Sequence, residues 1–410
     1  MAITLTGGAT FVGGANIGTP VAPPSYNGDV SVGSSTQLPL RPIASNGNQG
    51  IDTSPQIVWD PVNSKAVYIY QDHTNTSDTL RSLYAVVASI SGTSITYGTP
   101  VEISNGSSDG WANNTGFAAT YDANAQKILV MIGSNSSNFA YVGTVSGTSI
   151  SFGSKQDQPL GSTFVSQVSM VYDSTAQKHV VVYNRSGNNS THARVLTVSG
   201  TSVSAGSEVR ITTENCEYNT IAYDTNAQKH VVSFQNASYD GYAVVGTVSG
   251  TSTSWGTPVV YNTGRVQNMV AVYEPTSQNV VITYKDDNNN NGVAIAGTIS
   301  GTSISFGSET IFESSSFGLG DIARSTVYDA TSNKIYVAYL SSGDGKVATL
   351  SVSGTNITAV TSSIVFNPSG TVGYPSIVSA GSLQLVLGFR DNTNPSGTLR
   401  TYDTFVGTIT

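Results

Sequence analysis

The stretch YDSTAQKHVVVY, Tyr172 to Tyr183, followed by ARVLTVSGTSVSAGS, Ala193 to Ser207, decides the fold, because near-copies of both return about every 50 residues along the 410-residue chain. Three landmarks fix the register. An aromatic–acid pair closes the first segment of each unit: Trp59-Asp60, Tyr121-Asp122, Tyr172-Asp173, Tyr223-Asp224, Tyr273-Glu274 and Tyr328-Asp329. An apolar run follows, such as ILVMI from Ile128 or VVITY from Val280. A Ser-Gly-Thr turn comes third, with glycines at 92, 147, 200, 250, 301 and 354, spaced 55, 53, 50, 51 and 53 residues apart. A seventh unit, degraded at its first turn, begins at Ser376 as SIVSAGSLQLVLGFRD. A fixed period of this length means a repeat architecture, in which no unit buries its apolar surface alone.

Each unit contains four strand-length segments rich in β-branched and aromatic residues, separated by Gly, Asn, Asp and Ser. In the third unit these are QVSMVYD, KHVVVYNR, ARVLTVS and SVSAGSEVRI. The second segment is apolar at consecutive positions, the pattern of a strand covered on both faces. Four-stranded antiparallel sheets stacked face to face and repeated seven times predict an all-β fold, a seven-bladed β-propeller. The last unit stops at TFVGTIT, ending at Thr410, without a fourth strand, and NGDVSVGSSTQL (Asn27–Leu38) has the pattern of the missing one. The sequence thus predicts a ring over residues 27–410, closed by residues 27–38, with residues 1–26 as an extended N-terminal arm. Pairing of the two chain ends satisfies sheet edges that would otherwise lie open.

Charged residues are 10% and the net charge is −8. That balance, with no basic stripe, excludes nucleic acid as a partner. The single cysteine, Cys216, allows no disulfide within the chain. The N-terminus lacks the basic and apolar regions of a secretory signal, and no apolar run reaches membrane-spanning length. No His, Cys or carboxylate group has metal-ligand spacing, so neither metal nor cofactor is expected. Asp286-Asp287 and the four asparagines after them read as a solvated tip.

In an antiparallel blade, the first and third turns share one face, and here both are near-identical in every unit. The Asp of the first accepts amides of its own turn, and the Gly of the third permits positive φ, so both repeats have a structural reason. Variation collects on the opposite face, in stretches such as NRSGNNSTH (Asn184–His192), NASYDGY (Asn236–Tyr242) and TENCEY (Thr213–Tyr218). Loops that vary on a fixed scaffold are where binding sites sit. The candidate ligand-binding residues are Trp111, Tyr218, Tyr239, Tyr242 and Arg185. Trp59 and Trp255 fill slots held elsewhere by Tyr or Phe and read as packing residues. His179 and His230 stand where other units have Ala, Ile or Val and also read as packing, while His73 and His192 read as isolated loop residues. Arg185, Arg265, Arg324 and Arg390 are the arginines available to a sialidase-like grip, but the boxes of that family are missing. No two carboxylates are paired by the sequence as a glycosidase requires.

The units VGTVSGTSISFGS (Val142–Ser154), VGTVSGTSTSWGT (Val245–Thr257) and AGTISGTSISFGS (Ala296–Ser308), each behind a YDxxAQK-like turn, resemble repeats of virion proteins of tailed phages, marine ones especially. Repeats in large bacterial proteins are also similar. The resemblance covers about Gln56 to Thr410 and implies a non-enzymatic structural protein of the virion, an appendage or particle-surface propeller. The repeat itself carries no site; the partners expected for such a protein are other virion proteins, docked through the N-terminal arm, and a host-surface glycan or protein at the variable loops. The alternatives are a lectin-like, glycan-binding propeller of a bacterium and a glycan-cleaving enzyme.

Overall fold

The computed structural model describes residues 2–4, 10–12, 29–37, 49–50, 55–73, 81–105, 116–133, 137–161, 165–185, 187, 189–314, 316–318, 324–359, 363–367, 372–391 and 399–410. Trp111 lies outside them. Seven antiparallel sheets follow one another along the chain, and a separate hairpin pairs Ala2–Thr4 with Thr10–Val12. Blade 3 shows the plan. Its A strand is Val165–Asp173, its B strand Lys178–Arg185 and its C strand Ser190–Ser199. The D strand, expected as one segment, is split into Ser202–Ala205 and Val209–Arg210, both paired with C.

Gly206 makes the break. Its amide donates to the Val195 carbonyl at 2.8 Å, and a Cβ built on it would stand 1.7 Å from the carbonyl oxygen of Thr251, in the Ser-Gly-Thr turn of the next blade. The same socket recurs as Gly98 under Thr148, Gly153 under Thr201, Gly256 under Thr302 and Gly307 under Thr355. The repeated Gly and the repeated Thr are therefore two halves of one contact between neighbouring blades.

Burial follows the same logic. Val180 and Val182 of the third B strand pack toward blade 4, whereas Val181 and Tyr183 pack toward blade 2. Consecutive apolar residues are needed because adjacent side chains of a strand point to opposite faces, and both are covered. Seven apolar clusters result, one at each blade-to-blade interface. The cluster joining Tyr68 and Val86 to Val386 and Val406 links the last blade to the first. Trp59 and Trp255 are partly buried against such clusters, as their slots predicted.

Ring closure is as expected from the chain ends. Val30–Val32 pairs antiparallel with Gly407–Ile409, and Thr36–Gln37 pairs with Asp403–Thr404. Gly33 donates to the Val406 carbonyl at 3.1 Å and receives Thr93 of blade 1, repeating the Gly–Thr socket. Tyr97 of blade 1 hydrogen-bonds Thr404, and Gln384 donates to the Gly92 carbonyl at 2.8 Å.

The two strand-B histidines occupy these interfaces. His179 is buried with Nε2 3.0 Å from Asp122 of the preceding blade, and His230 is buried with Nε2 3.5 Å from Asp173. Burial lowers the pKa of His179, although its hydrogen bond to Asp122 pulls the other way, and lowers that of His230 to about 4. Both stay neutral in the folded ring at neutral pH, while in the unfolded chain they protonate below about 6.5. The unfolded state thus binds more protons between those values, and stability falls as pH drops from about 6.5 toward 4. His230 alone should remove about 2 kcal/mol by pH 5. Urea midpoints at pH 7.5 and 5.0 check this: the gap between them should shrink in His230→Val, and an unchanged gap would reject the assignment.

Candidate functional site

The A strands run from the variable face to the face bearing the repeated turns. On the latter, nearly every repeated polar group is engaged. Asp173 Oδ1 accepts the Thr175 and Ala176 amides at 2.9 and 2.8 Å, and Asp60, Asp122, Asp224 and Glu274 do the same in their own turns. In five of the turns a Lys donates to a C-strand hydroxyl, as Lys127 to Thr144 at 2.8 Å and Lys178 to Thr197 at 3.1 Å. The aromatic before the acid reaches the previous blade: Tyr172 Oη accepts the Asn124 amide at 3.2 Å, and Tyr223 donates to Thr175 at 2.7 Å. The lysine links stay within one blade, whereas the tyrosine links become legible only once the blades are stacked.

On the variable face the candidates separate. Arg185 reaches Glu208 at 2.6 Å, and the other oxygen of that carboxylate accepts the Tyr183 hydroxyl at 2.7 Å. His192 is not a loop residue. It lies buried on the C strand, stacked on Tyr183, with Nδ1 3.4 Å from Glu208 and Nε2 3.0 Å from Ser190 Oγ. Burial and then the Glu208 carboxylate raise the Tyr183 phenol, and burial lowers His192. The Tyr–Glu pairing recurs at the same two positions of blade 5 as Tyr284 with Glu309, which marks it as scaffold. Arg185 is thus tied into a blade-3 network, although its side chain keeps 39% of its surface exposed.

Tyr239 is different. It is 53% exposed, sits at φ 73°, and has the Arg265 guanidinium 5.1 Å from its ring centre. Arg265 also meets Asp287 at 3.1 Å, and Lys285 meets the same carboxylate at 2.7 Å. An open aromatic face beside a charged pair is the chemistry that holds a sugar ring or a peptide side chain. Tyr242 stacks on Phe234 at 6.0 Å and is half-buried, so it braces the C strand rather than standing free. Tyr218 takes no part in that cluster and lies at the ring's centre.

That centre is a cavity of about 360 Å³ to which the A strands of all seven blades contribute. Its polar lining includes Gln56, Gln167, Asn219, Asn268 and Thr326, over an apolar surface from Val168, Met170, Met269 and Ile377. Four A strands enter it through a bulge, with Gln167, Tyr218, Asn268 and Tyr374 each at φ between 50° and 57°. Side chains suture the strands: Gln56 donates to the Phe117 carbonyl at 2.7 Å and accepts the Ala119 amide at 2.8 Å, and Gln167 accepts the Tyr218 amide at 2.6 Å. Among the described lining residues Arg324 carries the only charge. Its Nη2 lies 3.3 Å from the Met170 carbonyl, so the side chain spans the ring from blade 6 to blade 3. Burial lowers its pKa to about 10, which leaves it cationic at neutral pH. Among the described residues no three His, Cys, Asp or Glu side chains gather as a metal site would need.

No family model matches the chain, and no curated protein matches it. Solved structures do. A protein of unknown function from Dyadobacter fermentans is 12% identical, with a TM-score of 0.50 over 93% of this chain and 99% of its own. A candidate 6-phosphogluconolactonase from Bacteroides uniformis is 8% identical, with a TM-score of 0.50 over 76% of this chain and 85% of its own. A puromycin-hydrolyzing peptidase from Mycobacterium tuberculosis is 8% identical, with a TM-score of 0.48, and is matched over 51% of its length. Some structural neighbours are therefore named as enzymes, but at these identities the likeness is one of fold, and fold does not carry function.

Proposed function

We propose that this chain is a non-enzymatic binding propeller of a tailed-phage particle, which holds its repeated face as scaffold and turns its variable face toward a host-surface glycan. The observation that carries the binding role is the division of labour between the faces. Repeated side chains are consumed by turns and inter-blade contacts, while Tyr239 stands open beside Arg265 and Asp287 on the other side. The placement on a particle rests on the resemblance of the repeats, and residues 1–26 are the segment proposed to dock there.

Binding of the purified protein to host cells and to a glycan array tests the first part. Tyr239→Ala should weaken binding about tenfold, the loss of an aromatic contact of about 1.4 kcal/mol, with thermal unfolding unchanged. Undiminished binding would remove the residue from the site. Mass spectrometry of purified virions tests the second part, since a virion component must be found there.

A further inference from the structure

The central cavity has a chemistry of its own, independent of the variable-face reading. Arg324 brings a guanidinium into a space where no described lining residue supplies a carboxylate. Its side-chain hydrogen bond goes to a neutral carbonyl across the ring, Met170 O at 3.3 Å. Arg324 is partly buried there, and a guanidinium in a recess without a counter-charge gains a charge-assisted hydrogen bond when an anion joins it. Asn268, in the same lining, has its carboxamide oxygen buried without a hydrogen-bond partner, and a buried acceptor left open loses free energy that a ligand hydroxyl would restore. The volume of about 360 Å³ falls at the small end of small-molecule sites.

The geometry points to a ligand site in the ring's centre for a small hydroxylated carboxylate, such as an acidic monosaccharide, with Arg324 gripping the carboxylate and Asn268 accepting from a hydroxyl. The planar fork of Arg324 matches a carboxylate in a way that a lysine would not. The neutral amide and hydroxyl lining suits hydroxyls, and Met170 and Met269 offer the apolar surface against which a sugar ring can lie. Arg324 is the fifth residue before its turn acid, Asp329, and so stands at the variable-face end of the strand. Equivalent positions in other blades hold Phe117, Val168, Asn219 and Met269, so the repeat itself does not explain an arginine there.

Isothermal titration of the full chain at neutral pH with sodium glucuronate, glucose, acetate and inorganic phosphate tests this. Saturable binding of glucuronate is expected, with glucose and acetate each at least about tenfold weaker because each lacks half of the recognised chemistry. Arg324→Gln should weaken glucuronate at least about tenfold, and Asn268→Ala by about fivefold. Removing a partly buried charge that has no carboxylate partner in the lining should leave Arg324→Gln folded, with a melting temperature no lower than wild type. If it does not fold, Arg324→Lys keeps the charge without the fork and should still lose about fivefold. Absence of saturable glucuronate binding, tighter binding of phosphate, or equal binding by the Arg324 variants would each overturn the assignment.

Discussion

Gly206→Val should destabilise the ring by about 3 kcal/mol or more, a cost at the upper end of overpacking. A Cβ added to Gly206 would lie 1.7 Å from Thr251 O and 2.7 Å from Thr251 C, so the obstacle is backbone of the neighbouring blade. A side chain can rotate away, but this carbonyl cannot move without pulling the Ser-Gly-Thr turn off blade 4. Shortening Thr251 to Gly should therefore fail to rescue Gly206→Val. Gly33 offers the contrast. There the nearest atom to an added Cβ is Thr93 Cβ at 2.8 Å, with the carbonyl at 3.1 Å. Thr93→Gly should accordingly recover part of the loss caused by Gly33→Ala. Ser204→Val, exposed on the strand that ends just before Gly206, serves as the control and should change stability by no more than about 0.5 kcal/mol. Urea unfolding of these variants decides the matter, and a Gly206→Val protein as stable as the control would show that the blades do not meet through this socket.

The scaffold was legible because its causes are local and repeated. The aromatic–acid pair, the doubly apolar B strand and the Ser-Gly-Thr turn each state a conformational need in a few residues, and six or seven copies make that need plain. What one copy could not state was the partner across the interface. Gly206 reads as one residue within the fourth strand segment until Thr251 of the next blade is found against it, and Tyr223 reads as part of a repeated pair until Thr175 of the previous blade meets it. His192 was misplaced because polar neighbours hid a C strand that begins at Ser190, two residues earlier. Candidate sites were less legible still. Tyr239 stood out as an unrepeated aromatic, but the arginine over its ring comes from the next blade, 26 residues on. Arg324 was one arginine among several, and nothing local says that its strand lines the centre of a ring. A non-repeated charge at a repeated inward position is the signal that could have found it.

Removing residues 1–38 should abolish the cooperative fold, the largest effect expected of any change considered. The segment 29–37 supplies the D strand of the last blade, and its loss strips three kinds of contact at once. Val30, 4% exposed, contributes about 2 kcal/mol of apolar burial beside Phe366, Phe389 and Phe405. The ladder from Val30–Val32 to Gly407–Ile409, with the Thr410 amide on the Asp29 carbonyl at 2.9 Å, adds about 1 kcal/mol for each bond. The Gly33–Thr93 socket holds the last blade to the first, so blade 1 loses a neighbour as well. Together these approach the whole stability of an ordinary domain, which is only about 5–15 kcal/mol. The exposed edge of Leu399–Ile409 would then pair with other chains, so the truncated protein should elute as soluble aggregate or precipitate. A peptide of residues 27–38 added during refolding should restore monomer in proportion to its concentration, because pairing of the two ends has become bimolecular. Removal of residues 1–26 alone should leave the urea midpoint within about 0.5 kcal/mol of wild type, since the closing strand is retained. A cooperative monomer lacking residues 1–38 would mean that the ring holds without its seam.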